Sequence, residues 1–232
     1  MKTIAHKIKA FIFDMDGTII KTERLWEDAK ADVVISLGVH PFTQEHRNFL
    51  RSLIGLNMQE HSIRIKEAFN LANAPEEIGN LINEAANRRF HHNIDFVDGF
   101  ETFHQKLQAF NIPSAIATNT NISNLTTLTK TLRFNRFFGN HIYSQEHAGF
   151  KPKPDPAVFL HAAQQLGAEP ERCVVFEDSL FGFQAAKAAG MRCVAIKTED
   201  NLNTFNLANT AINSYHEAEE AIKSLYIEQP TS

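Results

Sequence analysis

From residue 95 onward, short apolar runs alternate with longer segments of helical periodicity, and that rhythm leaves few folds open. Residues 112–117, 141–144, 173–176, 193–196 and 211–213 read as strands. Residues 121–132, 155–166, 181–189 and 217–225 read as helices, with Pro156 at the start of one and Gly167 and Gly190 just past the ends of two. Strands alternating with helices in this way form a parallel sheet covered by helices on both faces. The run AFIF at residues 10–13 belongs to the same sheet, because a strand buried on both faces is continuously apolar.

Residues 21–93 break the rhythm. They carry helical periodicity, many Asn, Glu and Arg, and no convincing strand, so they read as a helical bundle inserted after the first strand. The closing EQPTS reads as disordered.

A formal net charge of −4 gives no long-range attraction to nucleic acid or to an anionic membrane. No apolar stretch approaches the roughly 20 residues that span a bilayer. The N-terminal run lacks a small-residue cleavage site and leads into DMD, so no signal peptide is expected and the protein reads as cytoplasmic. Cys173 and Cys193 read as buried free thiols, and the 19 phenylalanines, scattered among strands and helices, as core packing. The histidines show no HExxH spacing and there is no CxxC, so His91 and His92 read as solvated or hinge-lining rather than zinc-binding. No Walker-type or GxGxxG loop occurs.

Ligands of an open parallel sheet bind at the carboxyl ends of its strands. The residues there are polar in every case that could be central. Asp14, Asp16 and Thr18 follow the first strand, Thr118 and Asn119 the second, Lys151 the third and its loop, and Glu177, Asp178 and Ser179 the fourth. Carboxylates with one lysine and hydroxyl or amide donors suit Mg²⁺ plus a phosphate, since Mg²⁺ takes a few carboxylate oxygens and completes its shell with water and phosphate. A carboxylate is also a nucleophile toward phosphorus. Two in one turn permit divided labour, one ionised to attack and one delivering a proton. One-residue spacing would send Asp14 and Asp16 to opposite faces of a continuing strand; Gly17 lets the chain turn and aim both at one site.

DMDGT, ATN, KPKPDP and FEDS, in that order and at those strand ends, resemble the motifs of the haloacid dehalogenase (HAD) superfamily over nearly the whole chain. The resemblance implies a Rossmann-like core of residues 1–20 and 94–232 and a C1-type helical cap of residues 21–93. It further implies a phosphotransferase, usually a phosphatase, that uses Mg²⁺ and a covalent aspartyl-phosphate; a monomer is expected. By motif, Asp14 is nucleophile and metal ligand, and Asp16 is general acid/base with its backbone carbonyl on the metal. Thr118 and Lys151 bind the phosphoryl group and Asp178 completes the metal site; Asn119, by its amide, is a further donor to the phosphoryl oxygens. Dehalogenase members lack the second aspartate, so Asp16 argues against that chemistry.

Several positions carry two readings. Lys151 and Lys153 compete for the phosphate; the motif's first lysine is preferred and Lys153 is taken as solvated. Glu177 either binds metal, directly or through water, or hydrogen-bonds its neighbours, and Ser179 either caps the next helix or reaches the metal shell. Thr118 and Asn119 serve as a helix cap, a phosphate ligand or both. Glu177 before Asp178, and Thr22 with Glu23, resemble the sugar-phosphate branch, so the expected substrate is a small sugar or polyol phosphomonoester with Glu23 at its pocket. A sugar-phosphate mutase is the alternative. It needs a cap cation for a distal phosphate, but Met58 occupies the corresponding place, leaving only Arg51, Arg64 and Lys66 nearby.

Overall fold

The computed structural model describes residues 7–53, 56–91 and 94–226. Six parallel strands form one sheet in the order β3-β2-β1-β4-β5-β6. They are β1 (Ala10–Phe13), β2 (Ser114–Thr118), β3 (Ile142–Ser144), β4 (Cys173–Glu177), β5 (Arg192–Ile196) and β6 (Thr210–Ile212). The α/β expectation therefore holds. Where strand bounds moved, a local cause is sometimes visible: β2 starts at Ser114, just past Pro113, which has no N–H for the ladder but whose carbonyl accepts from Phe11 N at 3.0 Å.

β1 lies between β2 and β4, and all four of its residues are buried. Alternation sends Phe11 and Phe13 to one face and Ala10 and Ile12 to the other, each into its own apolar cluster. On the first face Phe13 stacks on Phe176, its partner in register on β4, with centroids 5.0 Å apart. Phe100, Phe103, Phe138 and Tyr215 close around this pair. Helices α5 (Phe100–Ala109), α6 (Ile122–Leu132), α7 (Asn135–Phe138), α8 (Ala157–Gln165), α9 (Leu180–Ala188) and α10 (Ala218–Ser224) accompany the strands. Cys173 and Cys193 are buried and free.

Between β1 and α5 stand α1 (Glu23–Ser36), α2 (Gln44–Arg51), α3 (Met58–Phe69) and α4 (Pro75–Arg89), with α1 and α3 both packed on α4. The chain leaves and rejoins the core at one place. Lys21 N donates to Asp95 O and Val97 N to Ile19 O, both at 2.9 Å, and Ile20 bridges Phe96 antiparallel. Among the described residues no helix is long and apolar enough to cross a membrane. His91 is exposed; His92, Gly55 and the terminal EQPTS lie outside the described residues.

One core histidine makes stability depend on pH. His104 is buried among Phe13, Phe100, Phe137 and Phe138, with Nε2 against Ser114 Oγ at 2.8 Å. Burial lowers its pKa from 6.5 to about 4, so the folded protein keeps it neutral where the unfolded chain binds a proton. Its contribution is complete above the unfolded value and is lost as pH falls toward the folded one, amounting to about 2 kcal/mol by about pH 5. Urea unfolding of the wild type and of His104→Gln in this window checks the point. The variant shows the shallower pH slope; identical slopes would remove the assignment.

Candidate active site

The site forms where the order of strands reverses, at the carboxyl ends of β1, β2 and β4. Asp14 is the first residue past β1, and its N–H still pairs with Phe176 O at 3.0 Å. The backbone then folds back at Gly17, whose φ is +76°. A Cβ there would stand 2.1 Å from Asp178 Oδ2, so glycine is required by space as well as by conformation. The same turn brings Thr18 Oγ1 to Asp178 Oδ1 at 3.1 Å and sets Asp16, which lines the same cavity as Asp14, against the helical insertion. There Asp16 Oδ1 accepts from Thr22 Oγ1 at 2.6 Å and Trp26 Nε1 at 2.8 Å, while Oδ2 accepts from Thr120 Oγ1 at 2.7 Å.

The lysine at the centre is Lys153, not Lys151. Lys153 is 2% exposed, and its Nζ donates to Asp14 Oδ1 at 2.5 Å and to Glu177 Oε1 at 2.8 Å. Its backbone N–H donates to Asn119 Oδ1 at 2.9 Å, and its ammonium lies over the ring of Phe159 at 4.4 Å. Lys151, expected to bind the phosphoryl group, is exposed and takes no part in the cavity wall. The physical reason is the amide of Asn119, which fixes the backbone at the second lysine and turns that side chain inward. Two buried carboxylates then supply the charge that makes a buried ammonium tolerable.

Glu177 hydrogen-bonds its neighbours through both carboxylate oxygens. Oε1 takes Lys153, and Oε2 accepts from the backbone N–H groups of Asp178 at 2.7 Å and Ser179 at 2.6 Å and from Ser179 Oγ at 3.0 Å. Ser179 also caps α9, its Oγ accepting from Gly182 N at 3.1 Å. Gly182 leaves the room: a Cβ there would fall 1.8 Å from the Glu177 carboxyl carbon. Asp178 is held from behind by Asn201, a buried residue at the end of a short 3₁₀ turn (Glu199–Asn201), whose Nδ2 donates to Asp178 O at 2.6 Å and Ile196 O at 2.8 Å. Thr118 is buried at the end of β2 and its Oγ1 accepts from Thr120 N at 3.1 Å. Glu23, the first residue of α1, reaches over Gly17 into the cavity wall.

Burial pushes the Asp14 carboxyl up to about 8, against the downward pull of Lys153 and with the upward push of Glu177. Burial and the carboxylates of Glu177, Asp14 and Glu23 raise Asp178 as well. Burial alone would lower Lys153, but Asp14 and Glu177 outweigh it and raise it. The site is thus short of positive charge. Among the described residues one cluster offers a metal an all-oxygen set: carboxylate oxygens of Asp14, Glu177 and Asp178 lie within 4.8 Å of one another. That chemistry fits a hard divalent cation. Glu177 has both oxygens engaged by Lys153 and by N–H and O–H donors, whereas Asp14 and Asp178 each have one oxygen engaged, so the latter two offer a cation the freer oxygens.

Above this floor is a cavity of about 280 Å³, roofed by Trp26, Lys30, Leu56, Met58 and His61 of the insertion. Lys30, on α1, is 2% exposed and is a cation in the cavity wall that the amphipathic pattern of α1 did not reveal. The three cations considered from the sequence go elsewhere. Arg51 pairs with Glu199 and Arg64 with Glu60, and Lys66 donates to the carbonyls of Leu71 and Asn73. His61 is kept neutral by burial, which lowers its pKa to about 3, and its Nε2 donates to Leu53 O at 2.5 Å.

A family model described as haloacid dehalogenase-like hydrolase matches residues 11–196. The chain is 29% identical over 184 residues to a Thermotoga maritima protein named phosphorylated carbohydrates phosphatase, covering 79% of this chain and 82% of that one. It is 30% identical over 199 residues to fructose-1-phosphate phosphatase YqaB of Escherichia coli (strain K12), covering 83% and 98%. The crystal structure of CbbY from Rhodobacter sphaeroides in complex with phosphate aligns with a TM-score of 0.78 at 26% identity, over 90% of this chain and 96% of that one.

Proposed function

Since the chain belongs to the haloacid dehalogenase-like hydrolase family, we propose that it is a phosphoric monoester hydrolase acting on a small sugar or polyol phosphate. The observation that carries this reading is the contact of Lys153 with Asp14 at the strand-order switch, with Asp178 and its backbone support beside it. The two phosphatases named above act on sugar phosphates by their names, which supports the substrate class.

In this reading residues 21–93 form a cap, and the phosphate enters between it and the core. Asp14 attacks phosphorus, forming an Asp14–phosphorus bond while the ester P–O bond breaks, and Asp16 gives its proton to the leaving oxygen. Water then attacks the aspartyl-phosphate, Asp16 takes up its proton, and phosphate leaves with Asp14 regenerated. Lys153 offsets charge on the phosphoryl oxygens, and Thr118 donates to them. Asp14, Asp178 and the carbonyl of Asp16 would hold Mg²⁺, which supplies positive charge where the transferring group develops negative charge. The three donors on Asp16 keep it turned toward the cap, the side on which a leaving alcohol would sit. Lys30 gives that alcohol's polar groups a partner in the roof.

A panel of phosphorylated sugars, polyols, nucleotides and phosphoglycolate, assayed for free phosphate with Mg²⁺ and again in excess EDTA, tests this. Sugar or polyol phosphates turn over fastest and EDTA abolishes release. Strong preference for phosphoglycolate or a nucleotide overturns the substrate class. Lys30 also answers the mutase's need for a cap cation, so β-glucose 1-phosphate with catalytic glucose 1,6-bisphosphate belongs in the panel, followed by ³¹P NMR. Inorganic phosphate is the expected main product; glucose 6-phosphate accumulating faster would sink the hydrolase assignment.

A further inference from the structure

Asp16 is bound by three donors, and they come from three different parts of the molecule. Thr22 sits where the chain passes into the insertion, Trp26 on the first turn of α1, and Thr120 on the core loop after β2. Trp26 is the chain's one tryptophan. Its ring packs edge-on against Phe90, at the end of α4, with centroids 5.6 Å apart, so the insertion rather than the core fixes its place. Indole Nε1 is a donor and nothing else, whereas the hydroxyls of Thr22 and Thr120 can turn to donate or accept. A hydrogen bond of 2.8 Å survives only small displacements before distance and angle fail. Of the three contacts, the indole's is therefore the one that only a fully seated insertion can make.

Because Nε1 can only donate, Asp16 Oδ1 has to remain an acceptor while the bond lasts. Oδ2, the oxygen beside Thr120, is then the one left to face the leaving group. We propose that Trp26 is a positioning residue that ties the seating of the helical insertion to the orientation of Asp16, holding Oδ1 so that Oδ2 delivers the proton to the leaving alcohol. The inference rests on Asp16 as the acid proposed above. It adds that the acid is aligned by the roof of the cavity as well as by its floor.

Trp26→Phe keeps an aromatic ring against Phe90 and removes the N–H. An alkyl phosphate needs its leaving oxygen protonated, and a nitrophenyl phosphate barely does. Single-turnover rates with Mg²⁺ should therefore fall about 10-fold for a sugar phosphate, the scale of one hydrogen bond to a charged group, and less than about 3-fold for nitrophenyl phosphate. Equal losses with both substrates, which a packing defect would give, overturn the proposal. A second measurement needs no turnover. With a single tryptophan, emission reports Trp26 directly, and Mg²⁺ with orthovanadate should change it in the wild type but not in Asp16→Ala. The same change in both proteins shows that indole and carboxylate are not tied. If the wild type hydrolyses neither substrate, the hydrolase reading fails, while the emission comparison still decides the tie.

Discussion

Asp14→Asn releases no phosphate above background, a loss of at least about 10⁴-fold, as expected when a covalent nucleophile is removed from a site that acts as a unit. The substitution keeps the shape of the side chain and its place beside Lys153, which retains Glu177 as a partner. It also removes a carboxylate whose ionisation burial opposes, so the variant remains folded and its melting temperature shifts by only a few degrees. Phosphate release and a thermal melt on the same preparation separate chemistry from folding. Substantial activity in a folded Asp14→Asn protein would dismiss the aspartyl-phosphate route.

The second large effect distinguishes two lysines one residue apart. Lys153→Met lowers turnover by about 10²–10³-fold, the cost of removing one preorganised positive group from a charged transition state. It also leaves the carboxylates of Asp14 and Glu177 without their ammonium in a buried place, which destabilises by about 3–5 kcal/mol. Saturating Mg²⁺ recovers part of that stability, since it would bring positive charge to the Asp14 carboxylate, but little of the rate. Lys151→Met changes turnover less than about 3-fold, because that side chain is exposed. A larger loss at 151 than at 153 reverses the assignment made from the structure.

That pair of lysines also marks where reading the sequence stops. The sheet was legible because AFIF and its counterparts are apolar on both faces, and the floor of the site because polar residues follow each central strand. Asp14, Asp16 and Asp178 needed only a strand end and a turn. Lys151 and Lys153 share one residue type and one loop. What separates them is the Asn119 amide, 34 positions away, and the ring of Phe159. Glu177 stayed open for a related reason, since its engagement depends on Lys153 and on the space that Gly182 leaves in a helix with no recognised motif. Trp26 and Lys30 read as ordinary members of an amphipathic helix until α1 is laid over the core. Asn201 is one polar residue in a polar stretch, and nothing local distinguishes it from its neighbours.

The place where the chain leaves and rejoins the core has a thermodynamic consequence. Ile20 and Phe96 are bridged, so everything between them is, to the core, a loop already closed by two hydrogen bonds. The entropy of closing such a loop grows only logarithmically, by about 0.6 kcal/mol for each doubling of its length. Lengthening or replacing the segment therefore costs the sheet almost nothing, provided that the two crossing points are kept. Such changes spare the strand ends so long as Trp26 keeps its place against Asp16. The two crossings, antiparallel and hydrogen-bonded to each other, hold both ends of the insertion at one point of the core.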